Sequence, residues 1–405
     1  MKETMTGIRF DGGYPLFFLE RILRDPRIAC YVTDLRLSQC GTKPHRRLFQ
    51  GKAFEKRRER LATIITAVGT ELAALGANCP WLNESRRPHW QEALLAHPNQ
   101  AHCAALLLTL LPNLRSMAMK GMCYDCEPIT EMVEAIVKAN RDRSSTVHES
   151  ALSKLRSISI NHWDTEDGQD ITVYTPFVLL PSIRLLHGRM ICGESFPDEA
   201  PSALVDGDIR PIRQSQVEEI KIFYSAVGSE AWRSLLKPIN NLKKFTYEHA
   251  GAVVGFADYD CLAIMAILRE HACHSLEHLD LMCNLDDLED EQYVGDLKDF
   301  PNLRVLRLNA VAFYDENEGI TDEGYLRLTD TLPASIEAVT LVSWFHHDGA
   351  YDFLGQLADE RHKLPKLKRI CLEGDWNVAK DHIDSCKNVG IEIIESVELA
   401  FPYPS

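Results

Sequence analysis

The chain has 405 residues, 45% of them hydrophobic and 25% charged, a balance that supplies a folded core and excludes extended disorder. Its formal net charge of −15 excludes a generic nucleic-acid binder, which needs a basic surface to displace counterions from phosphates. No run approaches the ~18 apolar residues of a membrane span, and Met1–Gly13 lacks the basic and apolar regions of a secretion signal, so a cytoplasmic protein with reduced thiols is expected.

Read from the N-terminus, the first strand pattern is Val32, Leu35 and Leu37, apolar at positions 1, 4 and 6 of a unit L-x-x-L-x-L. A helical pattern over Phe54–Leu75 follows, with Leu61, Ile64, Ile65 and Val68 on one face, then a second over Trp90–Leu95. The basic run Lys43–Arg60 is interrupted by Glu55 and Glu59 at helical spacing and reads as a solvated helix face. The unit returns at Leu114/Met117/Met119 and Leu155/Ile158/Ile160. At Ile183/Leu186, Gly188 replaces the third apolar residue. Six further copies are Val217/Ile220/Ile222, Leu242/Phe245/Tyr247, Leu276/Leu279/Leu281, Leu303/Leu306/Leu308, Ile336/Val339/Leu341 and Leu367/Ile370/Leu372, with a last, weak one over Gly390–Ile394. Seven steps cover the 212 residues from Leu155 to Leu367, about 30 each. That length leaves room for helices between strands: Thr130–Lys138 and Ser229–Leu236, each opening on a capping residue, and Asp260–Ala272.

A strand and a helix of this size bury too little alone, so neighbouring units must stack. The pattern therefore predicts an α/β leucine-rich-repeat solenoid, with a parallel concave sheet and convex helices. Residues 1–111 read as a first repeat strand plus a helical cap or insert, and 112–400 as the repeat array. Leu279, Leu306 and Leu341 are expected in the core.

Phe17–Gly41, FFLERILRDPRIACYVTDLRLSQCG, resembles the segment that opens the array in fungal F-box/leucine-rich-repeat proteins. Residues 106–119, LLLTLLPNLRSMAM, and 300–308, FPNLRVLRL, are similar to the units that follow. The resemblance implies a repeat-only relative, since Met1–Pro15 is too short for the adaptor-docking F-box. It is specific for repeat class and carries little about function.

Recognisable catalytic signatures are absent from the sequence: it has no G-x-S-x-G, G-x-x-x-x-G-K-[ST], H-E-x-x-H or G-x-G-x-x-G. Cys123 and Cys126 form a lone C-x-x-C without a second pair, so neither a metal site nor a cofactor is expected. Residues at positions 5 and 7 should face the side of the sheet away from the helices, among them Asp280, Arg307, Asn309 and Glu373. Bulky groups follow the strands: Trp163, Phe313–Tyr314, Trp344–Phe345–His346–His347–Asp348 and Trp376. The expected function is a non-enzymatic scaffold that binds another protein through this face and aromatic rim. Trp344, Phe345, His346, Trp376, Phe313, Tyr314, Arg307 and Asp280 are the expected contacts. The alternative is a motif-less cyclase or isomerase, or a small-molecule binder of a fungal biosynthetic pathway, with His346, His347 and Asp348 as acid/base groups. Neither a nucleic-acid nor a membrane partner is expected.

Overall fold

The computed structural model describes residues 8–12, 15–38, 59, 63, 69–96, 100–120, 126–141, 151–162, 168–193, 215–249, 257–283, 293–313, 328–343, 352–374, 376 and 378–396. The protein is mixed α/β, with parallel strands alternating with helices and no closure into a barrel. It divides into two compact units, Met1–Ile191 with Pro197–Gln216, and Cys192–Phe196 with Val217–Ser405.

In unit 1 the sheet runs β1 (Ile8–Gly12), β2 (Val32–Ser38), β3 (Ser116–Lys120), β4 (Ser157–Asn161) and β6 (Leu185–Arg189), with β5 (Gln169–Asp170) outside this order. In unit 2 it runs β8 (Glu219–Val227), β9 (Lys244–His249), β10 (His278–Cys283), β11 (Val305–Asn309), β12 (Ala338–Ser343), β13 (Arg369–Gly374) and β14 (Glu392–Ser396). The short β7 (Ile191–Gly193) adds Cys192 and Gly193 beside Ala226 and Val227.

The register explains why the sequence repeats. Leu35, Met117, Ile158 and Leu186 are successive partners across unit 1. Ile220, Phe245, Leu279, Leu306, Val339 and Ile370 are successive partners across unit 2. Side chains alternate along a strand, so equal positions in neighbouring units stack on one face. The residues at positions 1, 4 and 6 of the ten strong copies, Gly188 aside, are at most 2% exposed. Leu279, Leu306 and Leu341 are among them, as the pattern requires. Helices cover this face: Trp232, on the helix Ser229–Leu236, meets Phe245 and Tyr247 edge-on at 5.0 and 5.1 Å. Each buried Leu- or Ile-sized side chain stabilises the unit by about 1.5–3 kcal/mol, so three per copy dominate its packing.

Polar residues just before the strands tie several copies to the one preceding them. Ser275 donates to the Leu242 carbonyl at 2.8 Å and Ser335 to the Leu303 carbonyl at 2.7 Å. Asn113 and Asn302 make the matching bonds to the Cys30 and His274 carbonyls, each at 2.7 Å. These bonds satisfy turn carbonyls that neither strand nor helix can reach.

Helix limits differ from the sequence pattern in instructive ways. The segment expected at Thr130–Lys138 spans Glu127–Arg141, and Thr130 is no cap. Its hydroxyl donates back to the Cys126 and Glu127 carbonyls at 3.3 and 3.0 Å, inside the first turn. Ser229 is the first helical residue, preceded by Gly228 without a side-chain cap. Asp260 does cap, its Oδ1 accepting from the Ala263 amide at 2.8 Å. The helix expected over Trp90–Leu95 runs Arg87–Ala96. Most of Phe54–Leu75 lies outside the described residues, but 69–77 is helical. Strand β1 was not expected, and it pairs Phe10 with Leu35. In β14, Ile393 pairs with Ile370, and the position 6 partner of Leu372 is Glu395, which is exposed.

Candidate functional site

The helices cover the position 4 and 6 face, leaving position 5 of each strand of unit 2 on the other, partly exposed face. Asp280, Arg307, Thr340 and Cys371 are successive register partners across β10 to β13. Arg307 lies between two carboxylates. Its Nη1 donates to Asp280 Oδ1 at 3.3 Å and its Nη2 to Glu373 Oε2 at 2.9 Å. Asp280 is on the neighbouring strand, but Glu373 is two strands away, so the guanidinium reaches across β12. Thr340 is the β12 residue in register with Arg307, and its short side chain leaves that path open.

This network is partly withdrawn from water. The side chains of Arg307, Asp280 and Glu373 are 22%, 29% and 10% exposed. Burial pushes the Asp280 carboxyl above its ordinary value, because the cost of desolvating its charge outweighs the help from Arg307. Burial opposes the charge on Arg307, yet Asp280 and Glu373 together hold its pKa above the usual value. Two carboxylates share one guanidinium, so the cluster presents a fixed, oriented set of acceptors and donors on the open face.

The strands' C-terminal edge is built from backbone-directed polar groups. Asn309 is 2% exposed. Its Oδ1 accepts from the Cys283 amide at 2.8 Å, and its Nδ2 donates to the Cys283 carbonyl at 3.2 Å, closing the end of β10. Gly374 has φ +105°, and a Cβ there would collide with the Ser343 carbonyl. Trp376, two residues further on, is half-buried, and its Nε1 donates to the Glu373 carbonyl at 2.9 Å. That bond folds the indole back on the strand that carries the network. Phe313 closes a 3-10 turn, Ala310–Phe313, and is buried at 3% exposure, so it packs inward.

A second polar group fills a bulge in β8. The β8–β9 register shifts between Ile222 and Ser225, and Tyr224 has φ +49°. The Tyr247 hydroxyl enters that gap. It accepts from the Val227 amide and lies near the Ser225 carbonyl, both at 3.0 Å, with His249 Nδ1 at 2.8 Å. A carbonyl can only accept, so the hydroxyl donates to Ser225 and accepts from the Val227 amide and from His249 Nδ1–H. Burial holds the Tyr247 phenol well above its ordinary pKa.

Of the expected site residues, the structure brings Asp280 and Arg307 into contact and sets Trp376 beside Glu373. Trp163, Tyr314, Trp344, Phe345, His346, His347 and Asp348 lie outside the described residues. Cys123 does too, while Cys126 is buried and its thiol donates to Gln169 Oε1 at 3.6 Å. Among the described residues, no group of three His, Cys, Asp or Glu side chains is arranged to hold a metal ion. No described helix is long and apolar enough to cross a membrane. Unit 1 contains an open hollow of about 580 Å³ lined by Leu23, Leu75, Trp81, Leu106 and Leu110, with Glu71 at its wall, remote in sequence from the expected rim. Set against known proteins, the chain matches no model of a protein family, and no curated protein matches it significantly.

Proposed function

We propose that the chain is a leucine-rich-repeat solenoid, of the repeat-only kind akin to fungal F-box/leucine-rich-repeat proteins, that recognises another protein through the open face of its sheet. The observation that carries this reading is the Asp280–Arg307–Glu373 network. Its three charges are held by strands β10, β11 and β13 on the face away from the helices, partly exposed and partly desolvated. A charge in that setting discriminates strongly between partners, because a mismatched one leaves it buried and unpaired. The rigid ladder beneath limits the ordering cost of binding. Trp376, tied to the Glu373 carbonyl, adds an aromatic surface of the kind that anchors interfaces.

The test is site-specific photocrosslinking. A benzoylphenylalanine at Thr340, beside Arg307, is expected to trap a discrete protein adduct in cell extract, and Arg307→Ala is expected to reduce it several-fold. The same probe at Leu262, an exposed residue on a helix, is expected to trap none. Equal adducts at both positions, or a stoichiometric small molecule in native mass spectra of the purified protein, refute the reading.

A further inference from the structure

Helical segments of unit 1 wall the open hollow of about 580 Å³. The segment 69–77 is seated by one face. Leu72 and Ala73 on it are buried, and a Cβ on Gly76 would meet Leu94 Cδ1 at 2.9 Å, so this segment lies close against the helix Arg87–Ala96. Its other face, Glu71, Ala74 and Leu75, lines the hollow at helical spacing, with Asn78 one turn on. Leu106, Thr109 and Leu110 of the helix Gln100–Leu110 form further wall at the same spacing. That helix packs on Pro15–Arg24, which contributes Leu23. Trp81 comes from the turn that follows Asn78.

The wall combines two kinds of surface. Leu23, Leu75, Trp81 and Leu110 are each only half-buried, so apolar side chains gather in one concavity and stay in contact with water. The volume falls within the range of about 300–1,000 Å³ usual for small-molecule sites. The polar groups around it are acceptors. Glu71 is exposed, and among the described residues no cation pairs with it. The Thr109 hydroxyl spends its only proton on the Leu106 carbonyl at 2.8 Å, so towards any other group it can only accept. The Asn78 amide nitrogen donates to the Ala74 carbonyl at 2.8 Å, which leaves its Oδ1 as an acceptor. Trp81 adds an aromatic ring, whose π face attracts cations. No positively charged side chain lines the hollow.

We infer that this hollow is a binding site for a small amphipathic amine, a hydrophobic body carrying one ammonium group. The body lies against Leu23, Leu75, Leu106 and Leu110 and removes their apolar surface from water. The ammonium has three donors and no acceptor, which matches a wall offering the Glu71 carboxylate, Asn78 Oδ1 and Thr109 Oγ1. A fatty acid would set its carboxylate against Glu71, and a neutral alcohol would leave that charge unanswered. The net charge of −15 on the whole chain favours a cation in the same sense. The hollow belongs to unit 1, so the inference stands or falls independently of the function proposed for the face of unit 2.

The experiment is isothermal titration calorimetry of the full chain at pH 7.5 with octylamine, octan-1-ol and octanoate, which share one apolar body. Octylamine is expected to bind one per chain in the micromolar range, and octan-1-ol about fivefold more weakly, the gain an exposed ion pair can supply. Octanoate is expected to give no binding. Binding of this strength is lost on purification, so the purified chain carries no stoichiometric ligand from this site. Glu71→Gln, at an exposed position, is expected to bring the amine down to the affinity of the alcohol while leaving the alcohol and the melting temperature unchanged. Ala74→Trp, also exposed, fills the hollow from its wall and is expected to abolish binding of both. No heat with octylamine, or binding that persists in Ala74→Trp, overturns the site. Equal affinities for amine and alcohol in wild type, or an amine affinity unchanged by Glu71→Gln, overturn the assignment to a cation. A chain that sediments as a dimer and becomes monomeric in Ala74→Trp overturns the small-molecule assignment in favour of a second copy.

Discussion

Arg307→Met tests whether the open-face network is a coupled charge cluster. The substitution keeps most of the side chain's volume and removes the one cation between Asp280 and Glu373. At the 3.3 Å separation of Arg307 and Asp280, and an effective dielectric constant of about 20, the gross attraction is about 5 kcal/mol. Much of this offsets desolvation, so the net destabilisation is expected at about 2–4 kcal/mol at pH 7, below the full figure for a sealed pair because Asp280 is 29% exposed. The pH dependence supplies the sharper criterion. The Asp280 pKa is already raised in the folded protein, so wild type loses this contribution to stability as pH climbs from the ordinary carboxylate value through the raised one. Arg307 lowers that pKa, and Glu373 raises it. In Arg307→Met the folded pKa therefore moves further up, and the folded state of the variant holds its proton more strongly. The destabilisation should shrink between pH 7 and an assay pH of about 4.5, because the folded variant takes up the Asp280 proton at a higher pH than wild type does. Urea unfolding of both proteins at the two pH values measures this. A loss below about 0.5 kcal/mol at pH 7, or the same loss at both pH values, refutes the coupling.

Three other outcomes are expected. Leu306→Ala, in a fully buried position between Leu279 and Val339, should cost about 2–5 kcal/mol in urea unfolding. Gly374→Ala should cost more than about 2 kcal/mol, because φ is +105° and the new methyl meets the Ser343 carbonyl. Gly390→Ala, at φ +81° with open space around it, should cost only about 1 kcal/mol, and equal losses for the two glycines in thermal melts would remove the steric argument. Burial pushes the Cys103 and Cys261 thiols up to about 12, so iodoacetamide near pH 8 should modify exposed Cys30 and leave these two until the chain unfolds, as peptide mass spectrometry would read out.

The phase of the repeat was legible because burial imposes it. A one-residue slip would turn every core side chain to the other face, so Leu303, Leu306 and Leu308 announce both strand and register. Strand β1 was not legible, because Ile8–Gly12 has no L-x-x-L and precedes a helix instead of following one. The contact of Asp280 with Arg307 follows from equal positions on neighbouring strands. Glu373 does not, since its part depends on the reach of an arginine and on the small Thr340 between. The aromatic residues after the strands show the limit most clearly. Phe313 and Trp376 stand at similar offsets, yet a 3-10 turn carries one into the core, and an indole hydrogen bond folds the other onto its own strand. Turn conformation decides their direction, and spacing alone does not encode it.

The final rung of unit 2 has a consequence for self-association. A parallel ladder whose apolar pattern recurs on every strand is a template, and another copy could extend it by one more strand. At β14 that template changes chemistry. Glu395 stands where every earlier strand of unit 2 places a large apolar side chain, and Glu392 is exposed at the strand's start. A strand added here would press its own core residue against a carboxylate. A carboxylate at this position makes the β14 edge a poor template for a further strand of the same pattern.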